Sequence, residues 1–346
     1  MSYTNGLDNP SLYFNTKLYS GNSSTQSISG INFKPDFVWI KARNQAYNHF
    51  LFDIARGVQQ RLKTNSTDAE STVTGLTSFD TDGFSLGSNV DMNGSGVNFA
   101  SWNWLASNTT ASNTDGSITS TVSANTTSGF SIVSYTGTGA NATVGHGLGV
   151  APSWIVIKGR NQVEDWTTYH ISTGNTKNVI LNSTATPDTH STYWQNTSPT
   201  SSVFYLGSST RPNNSGTNYI AYCFADTGNK FFKAGSYVGN GSSDGSYIHL
   251  GMKPAFVIIK RTNSLGSWRM WDNKRNPYNL TDTNLRPNTT DTDDTSGNQI
   301  DMLSNGFKIR ATVNIGDTNV SGSTYIYMAF AENPFVTSTG VPTCAR

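Results

Sequence analysis

The side chains that usually carry chemistry are sparse in this chain, and they do not gather. Five histidines, His49, His146, His170, His190 and His249, are scattered, and none has the i, i+4 spacing that sets two imidazoles on one helix face. The two cysteines, Cys223 and Cys344, form neither a zinc set with histidine nor a disulfide framework. There is no G-x-S-x-G nucleophile turn and no phosphate-cradling glycine loop. Gly137-Thr-Gly139 lacks the following helix that dinucleotide binding needs. Glycoside hydrolysis requires two placed carboxylates, and Glu70, Glu164, Asp165 and Glu332 do not recur as a pair. The stretch Asp291-Thr-Asp293-Asp294-Thr295-Ser-Gly297 begins like a calcium loop, but its glycine comes one position late and the acidic twelfth ligand is missing. It reads as a solvated acidic loop. Trp166, Tyr169, Trp194, Trp268 and Trp271 fall in predicted loops, where exposed rings stack on sugars. The plainer expectation is that they cover sandwich ends or subunit contacts. The residues point to no catalytic group, no cofactor and no metal.

The elements that must position these side chains come from a stretch used three times. It reads Pro35-Asp-Phe-Val-Trp-Ile-Lys-Ala-Arg-Asn44, Pro152-Ser-Trp-Ile-Val-Ile-Lys-Gly-Arg-Asn161 and Pro254-Ala-Phe-Val-Ile-Ile-Lys-Arg-Thr-Asn263. Self-similarity at a long period decides architecture before any local reading does. Upstream of each copy lies an extended segment and a glycine turn: Leu18 to Asn22, Ser134 to Thr138 and Ser236 to Asn240. These are hairpin signals. Downstream come Gly83-Phe84, Phe204-Tyr205 and Gly306-Phe307, a Ser-Gly turn, and a closing aromatic strand: Phe99 to Trp104, Tyr219 to Phe224, Tyr325 to Phe330.

The closing strand alternates with period two. Ala100, Trp102 and Trp104, with Ile220, Tyr222, Phe224 and Ile326, Met328, Phe330, mark its core face. Small residues opposite, such as Ala221, Cys223 and Ala329, imply a second layer close by. The anchor strand is apolar at every position, as in Phe37 to Ile40, so both of its faces are expected to be buried. A sandwich covers one face only. A long connection, a neighbouring repeat or a partner chain must cover the other. Lys41, Lys158 and Lys260 read as strand-end lysines reaching solvent. Asp53 with Arg56, and Asp272 with Arg275, read as pairs bracing a loop, and Phe52 to Leu62 as a short helix.

Composition excludes several classes. Charged residues are 13% of 346, aromatics 12%, and the net charge is +1. That is too aromatic for disorder and too neutral for a nucleic-acid binder. No apolar run nears the roughly 20 residues of a membrane span, and the start lacks a signal peptide. These features predict a soluble chain made in a cytoplasm whose surface is nevertheless that of an extracellular β-protein. Virion proteins, released by lysis, combine the two.

Asp8-Asn-Pro10, Tyr13-Phe14-Asn15-Thr16, Leu18 to Asn22, the Pro35 anchor, Thr77-Ser-Phe79 with Asp82 to Gly87, and the ending Ala331-Glu-Asn-Pro-Phe335 with Gly340-Val-Pro342 carry a resemblance. Together they are similar to a repeated β-domain of uncharacterised structural and tail-fibre-like proteins of tailed bacteriophages, notably from marine and cyanobacterial hosts. The resemblance implies a virion component and brings no catalytic residues.

The expected fold is all-β: three tandem antiparallel β-sandwich domains, jelly-roll or lectin-like. Their bounds are 1–107, 129–228 and 229–346 with a C-terminal tail. Residues 108–128 form a Ser/Thr/Asn-rich linker or an edge strand. The expected function is a non-catalytic phage virion protein, a tail fibre or host-contacting appendage. The doubly apolar strand predicts a homotrimer. Other virion proteins and a host surface glycan are the further expected partners, without nucleic acid or membrane insertion. The alternatives are a capsid decoration or cement protein and a carbohydrate-binding module.

Overall fold

The computed structural model describes residues 8–311, 317–337 and 339–343. Cys344 lies outside these residues.

Each repeat builds a main sheet in the order opening strand, closing strand, anchor strand, return strand. In module one these are Phe14–Ser20, Asn98–Trp104, Phe37–Ala42 and Phe50–Asp53. In module two they are Phe130–Thr136, Asn218–Phe224, Trp154–Gly159 and Thr167–His170. In module three they are Phe232–Val238, Thr324–Pro334, Met252–Arg261 and Arg269–Asp272. All pairings are antiparallel, and the register repeats: Trp39 faces Trp102, Val156 faces Tyr222 and Ile258 faces Met328. A smaller sheet covers one face in each module. It is built on Gln26–Ser29 with Gly83–Leu86, Ala142–Gly145 with Val203–Leu206, and Tyr247–His249 with Gly306–Ile309. The protein is therefore all-β with sandwich-type modules.

Two local expectations are corrected, and one of two open readings is decided. The strands flanking the first glycine turn of each module do not form a hairpin, because the chain crosses from main sheet to small sheet. The segment from Phe52 to Leu62 is not helical. The Arg56 guanidinium bonds Asp53 and the Leu51 and Gln60 carbonyls, and this folds the segment into a loop between two strands. Residues 108–128 are an edge addition more than a linker, since Ala111–Asn113 and Ser120–Asn125 extend the module-two sheet beyond Phe130–Thr136.

Strand alternation now has two destinations. Val38 and Ile40, Ile155 and Ile157, and Val257 and Ile259 pack under the small sheet of their own module. Phe37 and Trp39, Trp154 and Val156, and Phe256 and Ile258 turn the other way, into one core shared by all three modules. Trp102, Trp104, Tyr222, Phe224, Met328 and Phe330 of the closing strands join them. Phe37 meets Tyr222 with ring centroids 4.4 Å apart, Trp102 meets Phe256 at 5.9 Å, and Phe224 meets Phe330 at 5.4 Å. The face of the closing strand expected to lie inside its own sandwich is thus the face between modules.

The outer face of each anchor strand is covered by its neighbours in the same chain. Burying one such side chain contributes roughly 1.5–3 kcal/mol. A handful of such contacts is already comparable with the net stability of an ordinary domain, about 5–15 kcal/mol.

Candidate functional site: the three seams between modules

The shared core is ringed by three seams. Each is built from the same positions, because each module offers the same strand ends.

The anchor lysines do not reach solvent. Lys41, Lys158 and Lys260 are fully buried. Each ammonium donates to two carbonyls of its own module and one of a neighbouring module. Lys158 Nζ bonds the Gly159 and Gln162 carbonyls at 3.1 and 3.2 Å, and the Thr67 carbonyl of module one at 3.1 Å. Lys41 Nζ bonds the Ala42 and Gln45 carbonyls at 2.7 and 3.2 Å, and the Thr290 carbonyl of module three at 3.1 Å. Lys260 Nζ bonds the Arg261 and Gly266 carbonyls, each at 2.9 Å, and the Thr184 carbonyl of module two at 3.2 Å. Burial lowers each lysine pKa to about 8, opposed by nearby carboxylates such as Asp293, Glu164 and Asp317. All three remain charged at neutral pH, and a cross-seam carbonyl helps to hold each one.

The residue before each return strand reaches across in the same sense. Trp166 Nε1 donates to the Lys63 carbonyl of module one at 2.8 Å, and Trp268 Nε1 donates to the Ile180 carbonyl of module two at 3.0 Å. In module one the position is His49. Its Nδ1 accepts from Trp39 Nε1 at 3.0 Å, and its ring faces the Arg286 backbone of module three.

A charged brace lies further out. Asp53, opposite Phe37 in the sheet, accepts Arg56 Nε at 2.5 Å and the Tyr222 hydroxyl of module two at 2.7 Å. Glu70 then bridges Arg56 Nη1 at 3.1 Å and Arg160 Nη2 of module two at 2.7 Å. Burial works against the Arg56 charge, but Asp53, Tyr222 and Glu70 outweigh it and raise its pKa. The seam between modules three and one repeats the scheme. Asp272, opposite Phe256, accepts Arg275 Nε at 2.6 Å and Trp102 Nε1 of module one at 3.1 Å. Asp293 bridges Arg275 Nη1 at 3.1 Å and Arg43 Nε of module one at 2.8 Å.

The third seam breaks the pattern. His170, opposite Trp154, stands where the other modules have aspartate, and its Nε2 lies 3.1 Å from the Tyr327 carbonyl of module three. Three residues on, Thr173 replaces arginine. Three residues after the stapled Thr184, Pro187 replaces the bridging carboxylate. Two residues after Lys260, Thr262 replaces Arg43 and Arg160. The inner staples remain, but the outer brace is gone, and a cleft of about 360 Å³ lies in its place.

Several expected site residues move. Trp166, Tyr169, Trp194, Trp268 and Trp271 are all buried, at 0–3% exposure, so no ring face is open for a sugar. Two of them cross seams. Trp194 Nε1 bonds the Lys177 carbonyl at 3.0 Å, and Trp271 Nε1 bonds the Asn298 carbonyl at 3.1 Å, each within its own module. Tyr169 packs edge-on against Trp194. The Asp291–Gly297 stretch is solvated at Thr292, Thr295 and Ser296, but its carboxylates are not open to a cation. Asp293 is taken by Arg43 and Arg275, Asp294 by Arg269 and Arg286, and Asp291 by Arg286. Among the described residues no cluster of histidine, cysteine and carboxylate is arranged to hold a metal. Cys223 is buried, and burial pushes its thiol pKa up.

One recurrent set escaped the sequence reading. Asn93, Asn213 and Asn319 are fully buried, and each Nδ2 donates to two carbonyls. Each Oδ1 accepts a turn amide, from Asn22, Thr138 and Asn240. The signal was present as an asparagine two residues before each Ser-Gly turn. The anchor asparagines Asn44, Asn161 and Asn263 accept the first amide of the closing strand in the same repeated way.

The architecture defines a class: an all-β protein whose three sandwich modules complete one another within one chain. The chain belongs to the family described as a domain of unknown function (DUF7483), whose model matches residues 9–334 and so runs across all three modules. No curated protein and no solved structure matches it.

Proposed function

We propose that the protein is a non-catalytic structural component of a virus particle, acting as a rigid, self-contained block on its surface. The observation that carries the mechanical part is the shared core. Three modules bury each other's anchor strands and are stapled by Lys41, Lys158 and Lys260. Several side chains suited to acid–base work are used inside the fold: Asp53 and Asp272 hold arginines, and His170 sits buried on a backbone carbonyl. The motif resemblance to tailed-phage proteins supports the particle assignment.

The sequence placed a trimeric tail fibre first, because a face of the anchor strand needed a cover. The neighbouring modules supply that cover, which favours a decoration or cement protein, a unit that docks whole, over a fibre that needs three chains to close its core. The test is quantitative mass spectrometry and cryo-electron microscopy of purified particles from the virus that encodes the chain. A decoration gives a copy number in the hundreds, with density on the head. A few copies at the tail would restore the appendage reading, and absence from particles despite expression would refute both.

A further inference from the structure

We infer that the cleft at the seam between modules two and three is a binding site for a short uncharged saccharide. This inference stands whether or not the protein is a particle component.

The argument begins with the comparison the molecule makes with itself. At two seams the outer space is filled by an arginine, a bridging carboxylate and a second arginine. At the third seam Thr262, Pro187 and Thr173 occupy those positions and line the opening. The opening is not a loosening of the seam. Lys260 still bonds the Thr184 carbonyl at 3.2 Å, the Gly266 amide bonds it at 3.0 Å, and Trp268 still bonds the Ile180 carbonyl at 3.0 Å. The two walls are therefore held at a set spacing and the cleft is preformed. Its volume of about 360 Å³ lies in the range of small-molecule sites.

The lining sets the class of ligand. Among the described residues that line the cleft, Lys177 is the only charged one, and it is exposed. No carboxylate offers itself to a cation, and no arginine fork offers itself to an anion. Hydroxyls come from both walls, with Thr173 on one and Ser236, Thr262 and Thr324 on the other. The Thr173 hydroxyl donates to the His170 carbonyl at 2.9 Å and the Thr262 hydroxyl to the Thr324 carbonyl at 3.1 Å, so both keep acceptor lone pairs and suit a ligand rich in hydroxyl donors. Thr262 and Thr324 bond each other through Oγ1 at 2.7 Å, which orients both and leaves acceptor capacity free. Between the hydroxyls, Pro187 and the half-exposed Val238 offer apolar patches. Hydroxyl groups alternating with C–H faces are the surface of a neutral sugar ring.

The test uses the full chain and saturation-transfer NMR with glucose, galactose, mannose, N-acetylglucosamine, maltose, lactose and diacetylchitobiose. At least one sugar should bind saturably and shift the backbone amides of Ser236, Thr262 and Thr324. The double variant Pro187→Glu with Thr262→Arg, which rebuilds the ion pair of the other seams, should weaken binding by at least about tenfold. Val238→Trp, at an exposed strand position, should do the same without touching the seam staples, and serves if the double variant does not fold. The inference is overturned if none of these sugars binds, if the shifted amides lie elsewhere, or if the folded variants bind as the parent does.

Discussion

Tyr222→Phe isolates one contact between modules. The Tyr222 hydroxyl donates to Asp53 Oδ2 at 2.7 Å across the seam between modules one and two, with both groups fully buried. Phenylalanine keeps the ring against Phe37, at 4.4 Å between centroids, so apolar burial is unchanged. What goes is a single hydrogen bond to a charged acceptor, worth about 1.5–3 kcal/mol. Asp53 keeps Arg56, so no charge is orphaned, and the loss should fall near 2 kcal/mol on that scale. Asp53→Ala is the harsher partner. It leaves the buried Arg56 guanidinium with Glu70 as its one remaining carboxylate partner and should cost about 3 kcal/mol, the low end for a broken buried pair. Urea unfolding followed by tryptophan fluorescence and by circular dichroism measures both. Because the core is shared, the two probes should give one coincident transition. A Tyr222→Phe loss below about 0.5 kcal/mol, the scatter of ordinary surface changes, would refute the reasoning, as would a variant that destabilises module one while leaving the rest of the transition in place.

Other outcomes follow from the same geometry. Lys158→Met leaves three carbonyls without their donor, at about 1–3 kcal/mol each, partly offset by removal of a buried charge; urea midpoints should fall, and by similar amounts for Lys41→Met and Lys260→Met. Asn213→Ala removes a buried amide that holds two carbonyls and the Thr138 amide, and should lower stability by about 2–4 kcal/mol in the same assay. Burial lowers the His170 pKa from 6.5 to about 4. Between those values the unfolded chain binds a proton that the native protein refuses, so acidification from pH 6.5 towards 4 destabilises the fold by up to about 3 kcal/mol through this group. Burial raises the Asp36 pKa to about 6, which acts in the opposite sense over pH 3.8 to 6. The measurement is therefore the difference between the parent and His170→Gln across the range. A constant difference would remove the histidine from the account.

Much of the frame was legible in the sequence. The triple anchor, the period-two closing strand and the apolar run on both faces of Phe37–Ile40 follow from strand geometry alone. The Asp–Arg pairs were legible because a spacing of three brings them together within one loop. What covered the second face was not, since alternation shows that a side chain is buried and not by what. The lysines were misread for a related reason. A lysine ending an apolar strand normally reaches solvent, and the cross-seam carbonyls that help to hold these lysines inside lie 91, 249 and 76 residues away. Trp166 and Trp268 sit among polar neighbours in the sequence, and it is another module that buries them. The broken brace becomes visible only when register aligns His170 with Asp53 and Asp272.

The central claim is that each module is incomplete without the other two. The most direct test is to express residues 108–228 alone, module two with its own edge strands, and to measure unfolding cooperativity and mass in solution beside the full chain. Exposed Trp154, Val156, Tyr222 and Phe224 should drive the fragment to aggregate or to self-associate through that face, while the full chain unfolds in one transition with the mass of a single chain. A fragment that stays monomeric and unfolds cooperatively, with stability near that of the full chain, would contradict the account.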